Sequence, residues 1–172
     1  MPYVSSGLSR NPALKRIIAR LLRDTSDSSD PLEVESNLIA LVDALRTASG
    51  APEKPKRHDY AAVKTACAFI EANIEDGVSL DQLAVATRAD RYELSRAFRA
   101  LLGVSPYDYL VHRRLDRACH QLLSGEPSAL IAIDCGFSDQ SHLIRHFKKA
   151  YGLTPRSWLK IRGTSEARTI VQ

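Results

Sequence analysis

Asp90-Arg91-Tyr92-Glu93-Leu94-Ser95-Arg96-Ala97-Phe98-Arg99 returns 49 residues later as Asp139-Gln140-Ser141-His142-Leu143-Ile144-Arg145-His146-Phe147-Lys148. The correspondence runs on through Gly103 and Gly152, Pro106 and Pro155, and Leu110 and Leu159. Each copy opens on an aspartate, whose carboxylate can cap the free N–H groups of a helix start. Each closes on a glycine, the residue that most readily ends a helix. At helical spacing Tyr92, Ser95, Arg96 and Arg99 share one stripe, and Leu94, Ala97, Phe98 and Leu101 another. In the second copy Ser141, Ile144, Arg145 and Lys148 form the outward stripe, joined by Gln140 at the N-terminus, while Leu143, Phe147 and Ala150 face inward. A short helix with a basic outer face, present twice, points to a repetitive anionic partner, and DNA is the first candidate.

A short helix precedes each copy. Ser79, with Gln82 three residues on, makes a capping box ahead of Leu83, Ala84 and Ala86. Ser128 to Cys135 gives the counterpart and ends at Gly136. Short helix, tight turn and capped second helix are the grammar of the helix-turn-helix, here over residues 80–101 and 128–151. The second helix of such a unit enters the major groove with its N-terminal residues facing base edges. Arginine can reach guanine O6 and N7 together, glutamine can pair with adenine, and an apolar atom can pack on a thymine methyl. Arg96 and Arg145 are therefore the leading candidates for base reading. Arg91, Arg99, Lys148 and Lys149 suit phosphates, which position a helix without reading sequence.

The remaining segments also read as helices, and alternating strand patterns are absent, so the fold class is all-α. Pro106 begins a long helix through Tyr109, Leu110, Leu115, Ala118 and Leu122 that joins the two helix-turn-helix units and is broken at Gly125-Glu126-Pro127. A helix from about Tyr60 to Asn73 carries Val63, Ala66, Cys67, Phe69 and Ile70. Pro155 starts a last helix with Trp158, and the tail from Gly163 reads as frayed. Ahead of all this, Asn11-Pro12 and Asp30-Pro31 each open an apolar helix, with proline at the first helical position. These two helices have too little around them to bury both stripes, which predicts that they pack on a second copy or on a domain absent from this chain. Ser49-Gly50-Ala51-Pro52-Glu53-Lys54-Pro55-Lys56-Arg57 has almost nothing to bury and reads as a linker. The expected organisation is a helical pair at 1–49, a linker at 50–58, a DNA-binding domain at 59–163 and a tail at 164–172.

Composition permits this reading without demanding it. The net charge is +4 over 172 residues. It is shared evenly, with nine Lys/Arg against seven Asp/Glu in residues 1–57 and fifteen against thirteen in 58–172, so any basic face comes from local clustering. Cys67, Cys119 and Cys135 form no close pair and no zinc spacing, which fits reduced, buried thiols in a cytoplasmic protein. No apolar run is long enough to cross a membrane, and residues 1–6 hold no signal core.

Residues 60–161 resemble the DNA-binding domain of AraC/XylS-type bacterial transcription regulators. The resemblance rests on Phe69-Ile70, Ser79-Leu80, Leu83-Ala84, Leu94-Ser95-Arg96-Ala97-Phe98, Gly103-Val104-Ser105-Pro106, Tyr109-Leu110, Arg114-Leu115 and Ala118. Its most diagnostic part is Cys135-Gly136-Phe137-Ser138-Asp139-Gln140-Ser141-His142-Leu143, then Phe147-Lys148 and Gly152-Leu153-Thr154-Pro155. It implies two reading helices in successive major grooves, ~34 Å apart on one face of DNA. Carried over by position, Tyr92, Ser95 and Arg96 fall where the first helix meets bases. Gln140, Ser141, Ile144 and Arg145 do so in the second. Thr87-Arg88-Ala89 stands where the family often has a glycine, which predicts a first turn that is strained or differently bent. Ser128, Leu130, Asp134 and Gln121 also depart from the pattern, predicting looser packing in the second unit.

Double-stranded DNA is the expected partner. RNA polymerase, and a second copy pairing through residues 11–48, are further partners consistent with this reading. No cofactor and no enzymatic activity are expected. His142 and His146 lie one turn apart without a third ligand, so no metal site is expected. Cys135 has no base placed beside it, and Trp158 and Tyr109 read as core. The competing reading is an interaction protein. In it, the N-terminal helices would pair with those of a longer relative, and the chain would act as a dimerising antagonist.

Overall fold

The computed structural model describes residues 12–24, 30–49 and 59–169. Among them lie nine helices and no strand: α1 (Pro12–Asp24), α2 (Pro31–Ala48), α3 (Tyr60–Ala72), α4 (Leu80–Thr87), α5 (Arg91–Leu102), α6 (Pro106–Leu123), α7 (Ser128–Asp134), α8 (Gln140–Tyr151) and α9 (Pro155–Thr169). The all-α expectation and both helix-turn-helix units hold. The expected cap Asn11 and linker 50–58 lie outside the described residues. No helix among the described residues is long and apolar enough to cross a membrane.

The chain forms two units, Met1–Phe69 with Val78–Asp108, and Ile70–Gly77 with Tyr109–Gln172. In the first, Leu32, Val63, Ala66, Leu83, Leu94 and Phe98 are buried. Helix α2 starts at Asp30, whose carboxylate accepts the Leu32 N–H at 3.0 Å, with Pro31 occupying the first helical position, where no N–H is required. Leu32 and Ile39 are buried on α2, which packs on α1, α4 and α5. Part of the apolar surface of α2, at Leu32 and Ile39, is thus covered by the first helix-turn-helix, a possibility that periodicity alone does not reveal, while Val34, Leu38 and Val42 stay exposed.

In the second unit Ile131, Leu143 and Phe147 are fully buried, together with Ala132 and Cys135. The looser packing expected there is not what forms. Gln121 reaches Cys135, its Oε1 accepting the thiol at 3.2 Å, and Leu130 points to solvent. Burial pushes the Cys135 thiol up to about 11, so it stays protonated near neutrality. Tyr109 and Trp158 are half-buried rather than core. The Tyr109 hydroxyl donates to Glu71 at 3.1 Å, and Trp158 meets Phe147 edge-on at 5.8 Å. Helix α9 continues past Gly163 to Thr169. A single glycine weakens a helix by about 1 kcal/mol without obliging it to stop.

Candidate nucleic-acid interface

Each reading helix is aimed by the short helix and turn before it. In the first unit the capping box at α4 forms in both directions. Gln82 N–H donates to Ser79 Oγ at 3.1 Å, and Ser79 N–H donates to Gln82 Oε1 at 2.8 Å. The turn out of α4 is made by Arg88 at φ +54°, which holds a left-handed conformation. The Ala89 N–H returns to the Ala84 carbonyl at 3.2 Å, a bond that requires the left-handed residue between them. The expected strain is therefore real and sits on Arg88. Asp90 then caps α5, accepting from the N–H groups of Tyr92 at 2.9 Å and Glu93 at 3.1 Å.

Of the residues expected on the outer face of α5, Tyr92 is exposed, with the Arg91 guanidinium 5.3 Å from its ring centre. Arg91 also meets Asp81 at 3.3 Å. The others are covered by α2. Arg96 donates from Nε at 2.9 Å and from Nη2 at 2.5 Å to Asp43 Oδ1. Arg99 donates to the Ser36 carbonyl at 2.8 Å and to Ser95 Oγ at 3.2 Å. Ser95 is fully buried. Ser95, expected to meet a base, is covered in this arrangement. Its stripe faces out of the helix pair, but α2 lies on that stripe.

The second unit makes the same turn with a glycine. Gly136 stands at φ +77°, and the Phe137 N–H returns to the Ala132 carbonyl at 2.8 Å. The glycine is required twice over. A Cβ there would lie 2.6 Å from the Ile74 carbonyl oxygen and 2.8 Å from both the Glu75 carbonyl oxygen and Arg114 Nε. Buried Arg114 braces the site, donating from Nε to the Ile74 carbonyl at 2.9 Å. Asp139 caps α8 through the His142 N–H at 2.8 Å. The His142 and Ser141 amides and the Ser138 hydroxyl hold its carboxyl below the usual range, against a smaller opposing effect of desolvation.

Gln140, Ser141, Lys148 and Lys149 are exposed on α8, while Ile144 and Arg145 are half-buried. His142 and His146 are buried, their ring centres 4.6 Å apart and 5.4 Å and 6.1 Å from that of Phe137. His142 Nδ1 accepts the Ser138 N–H at 3.3 Å. Their aromatic packing holds the turn to the helix. Among the described residues no group of three or more metal-ligating side chains occurs.

A family model described as a helix-turn-helix domain matches residues 83–161. The crystal structure of a transcriptional regulator with an AraC-type DNA-binding domain, from Chromobacterium violaceum, is 32% identical with a TM-score of 0.53. The match covers 56% of this chain and 87% of that one. The chain belongs to the AraC/XylS family of transcription regulators. Within that family, the HTH-type transcriptional regulator ArgR of Pseudomonas aeruginosa is 34% identical over 89 residues, 51% of this chain and 27% of ArgR. GbdR of the same organism is 36% identical over 91 residues, 52% of this chain and 24% of GbdR. This member thus spans about a quarter of the length of those curated relatives. The DNA-binding domain of AdpA, solved in complex with a target DNA, is 25% identical with a TM-score of 0.54, covering 62% of this chain and 95% of that domain. The antagonist reading finds no support in these relatives, which are described as transcription regulators and DNA-binding domains.

Sequence reasoning missed Glu35, Ser36 and Asp43, the α2 groups that meet the first unit. Their only signal was the periodicity that places Asp43 on the same stripe as Leu32, Ser36 and Ile39.

Proposed function

We propose that this chain is a sequence-specific, double-stranded-DNA-binding regulator of transcription that acts by binding rather than catalysis. Its DNA-binding domain is residues 59–163, preceded by the helical pair of 1–49 and the linker of 50–58, and it works in the cytoplasm. Helices α5 and α8 read base edges. Tyr92, Ser95 and Arg96 serve in the first, Gln140, Ser141, Ile144 and Arg145 in the second. Arg91, Arg99, Lys148 and Lys149 hold phosphates.

The observation that carries this reading is α8. A capped helix presents exposed Gln140 and Ser141 at its N-terminus, with Arg145 one turn on, in a family of transcription regulators. The AdpA domain supports it, since that protein's structure holds a target DNA. A second copy is a further partner, supported by the exposed stripe Val34, Leu38 and Val42 on α2. RNA polymerase follows as the partner of any regulator acting at a promoter.

Selection of bound duplexes from random DNA tests the reading. The full chain is expected to enrich one asymmetric site. Arg145→Ala is expected to weaken binding to it by roughly 1–3 kcal/mol and to relax one base position. Enrichment of no site would remove the function, and an Arg145→Ala variant with unchanged specificity would remove that residue from the readers.

A further inference from the structure

Helix α2 meets the first helix-turn-helix with hydrogen-bond acceptors. Leu32, Ser36, Ile39 and Asp43 fall at i, i+4, i+7 and i+11, one stripe of the helix, and the first three are buried. The Asp43 carboxylate takes Arg96 through two N–H groups, and its second oxygen stands 4.0 Å from Arg99. The Ser36 carbonyl takes another Arg99 N–H. Glu35 Oε2 accepts the N–H of Leu80 at 3.3 Å. Leu80 is the first residue of α4, where free N–H groups and the helix dipole favour an anion.

These donors are the ones a duplex would need. Guanine O6 and N7, a phosphate oxygen and a carboxylate are all acceptors. Arg96, Arg99 and the start of α4 can therefore satisfy either α2 or DNA. The two also collide in space. An α-helix with its side chains is about 10–12 Å across, and the major groove is about 12 Å wide. A groove that admits α5 has no room for α2 on the outer face of α5. Ser95 is buried on this face, and Arg96 and Arg99 are half-buried. At the N-terminal end of both reading helices the corresponding residues, Arg91 and Tyr92 on α5 and Gln140 and Ser141 on α8, are open to solvent, so the cover falls on Ser95, Arg96 and Arg99.

We propose that α2 is an internal competitor of DNA: in a closed state it occupies Arg96 and Arg99 on the reading face of α5, and it must leave that face before the first unit can enter a groove. Asp43 is the latch, standing in for the anionic and acceptor groups of the duplex. The inference rests on the assignment of α5 as a reading helix. Apparent affinity for DNA is then the intrinsic affinity reduced by the fraction of open molecules. Any partner that takes hold of α1 and α2, such as a second copy, would raise that fraction.

The test uses the full chain, as wild type and as Asp43→Asn, which keeps the shape and removes the charge. The probe is a selected duplex of roughly 25 bp, two helical turns with flanks. Asp43→Asn is expected to bind about 5- to 10-fold more tightly, with helix content unchanged by circular dichroism. Equal affinity of the two proteins would overturn the latch and leave the proposed function standing. Failure of both to bind any duplex would overturn the proposed function and the latch with it. Hydrogen exchange on the wild-type chain provides a measurement that does not depend on the variant folding. Amides of residues 31–48 are expected to lose protection when the duplex is added. Retained protection with DNA bound at α5 would show that α2 and DNA coexist, and would sink the proposal.

Discussion

Replacing Gly136 with alanine should cost the second unit about 3–5 kcal/mol. A non-glycine residue at φ +77° costs roughly 1–2 kcal/mol for its backbone conformation alone. The added methyl would then sit 2.6 Å from the Ile74 oxygen and 2.8 Å from the Glu75 oxygen. Both are backbone atoms, so neither can swing aside as a side-chain tip would. The third close atom is Arg114 Nε, whose bond to the Ile74 carbonyl is buried. A charged hydrogen bond of that kind contributes about 1.5–3 kcal/mol. Small domains have only about 5–15 kcal/mol in all, so the loss is a large fraction of the total. Urea unfolding followed by Trp158 fluorescence measures it, because Trp158 is the single tryptophan and lies in this unit against Phe147. Gly125→Ala is the control. It has φ +82° with nothing within 4 Å of its added Cβ, so it should lose only the conformational part, roughly 1–2 kcal/mol. Equal losses in the two variants, or a Gly136→Ala loss under about 1 kcal/mol, would refute the reasoning.

Arg88→Gly should stabilise the first unit by about 0.5–1 kcal/mol. Relief of roughly 1–2 kcal/mol of left-handed strain is partly offset by the greater freedom of glycine in the unfolded chain. A thermal melt by circular dichroism that moves down instead of up would contradict this. Asp139 gives a pH dependence of known sign. Its carboxyl is held below the usual range, so the cap is complete above about pH 4 and its contribution is lost as the pH falls through the lowered value. The Asp139 carboxyl carbon should titrate below about 3.9 by NMR. A midpoint at or above that value would remove the cap from the account of α8.

Much of this fold is legible in the sequence because its signals are local. A helix period, an aspartate at the N-cap and a glycine or proline at a boundary act within a few residues, so the copies at Asp90 and Asp139 could be placed by reading alone. The strained turn was legible for the same reason. A tight exit from α4 demands a left-handed residue, and Arg88 is where that demand falls. What was not legible is long-range. Nothing near Asp43 says that it meets Arg96, 53 residues away. Nothing near Ser95 says that it will be covered. Amphipathicity fixes that α2 has a face to bury, not which surface receives it. Gln121 and Cys135 teach the same lesson on a smaller scale, since each looks misplaced alone and the two satisfy each other.

The consequence for function lies in the first copy, where Arg96 has a carboxylate partner in Asp43. Arginine in a helix-turn-helix is usually judged by its reach to a base. Here the first arginine must be judged by an exchange, the acceptors of DNA against those of α2. Its balance is set by the Asp43 carboxylate together with the burial of Leu32 and Ile39, apolar contacts that do not weaken with salt as ion pairs do. Closure of α5 should therefore persist at salt concentrations where phosphate contacts fade.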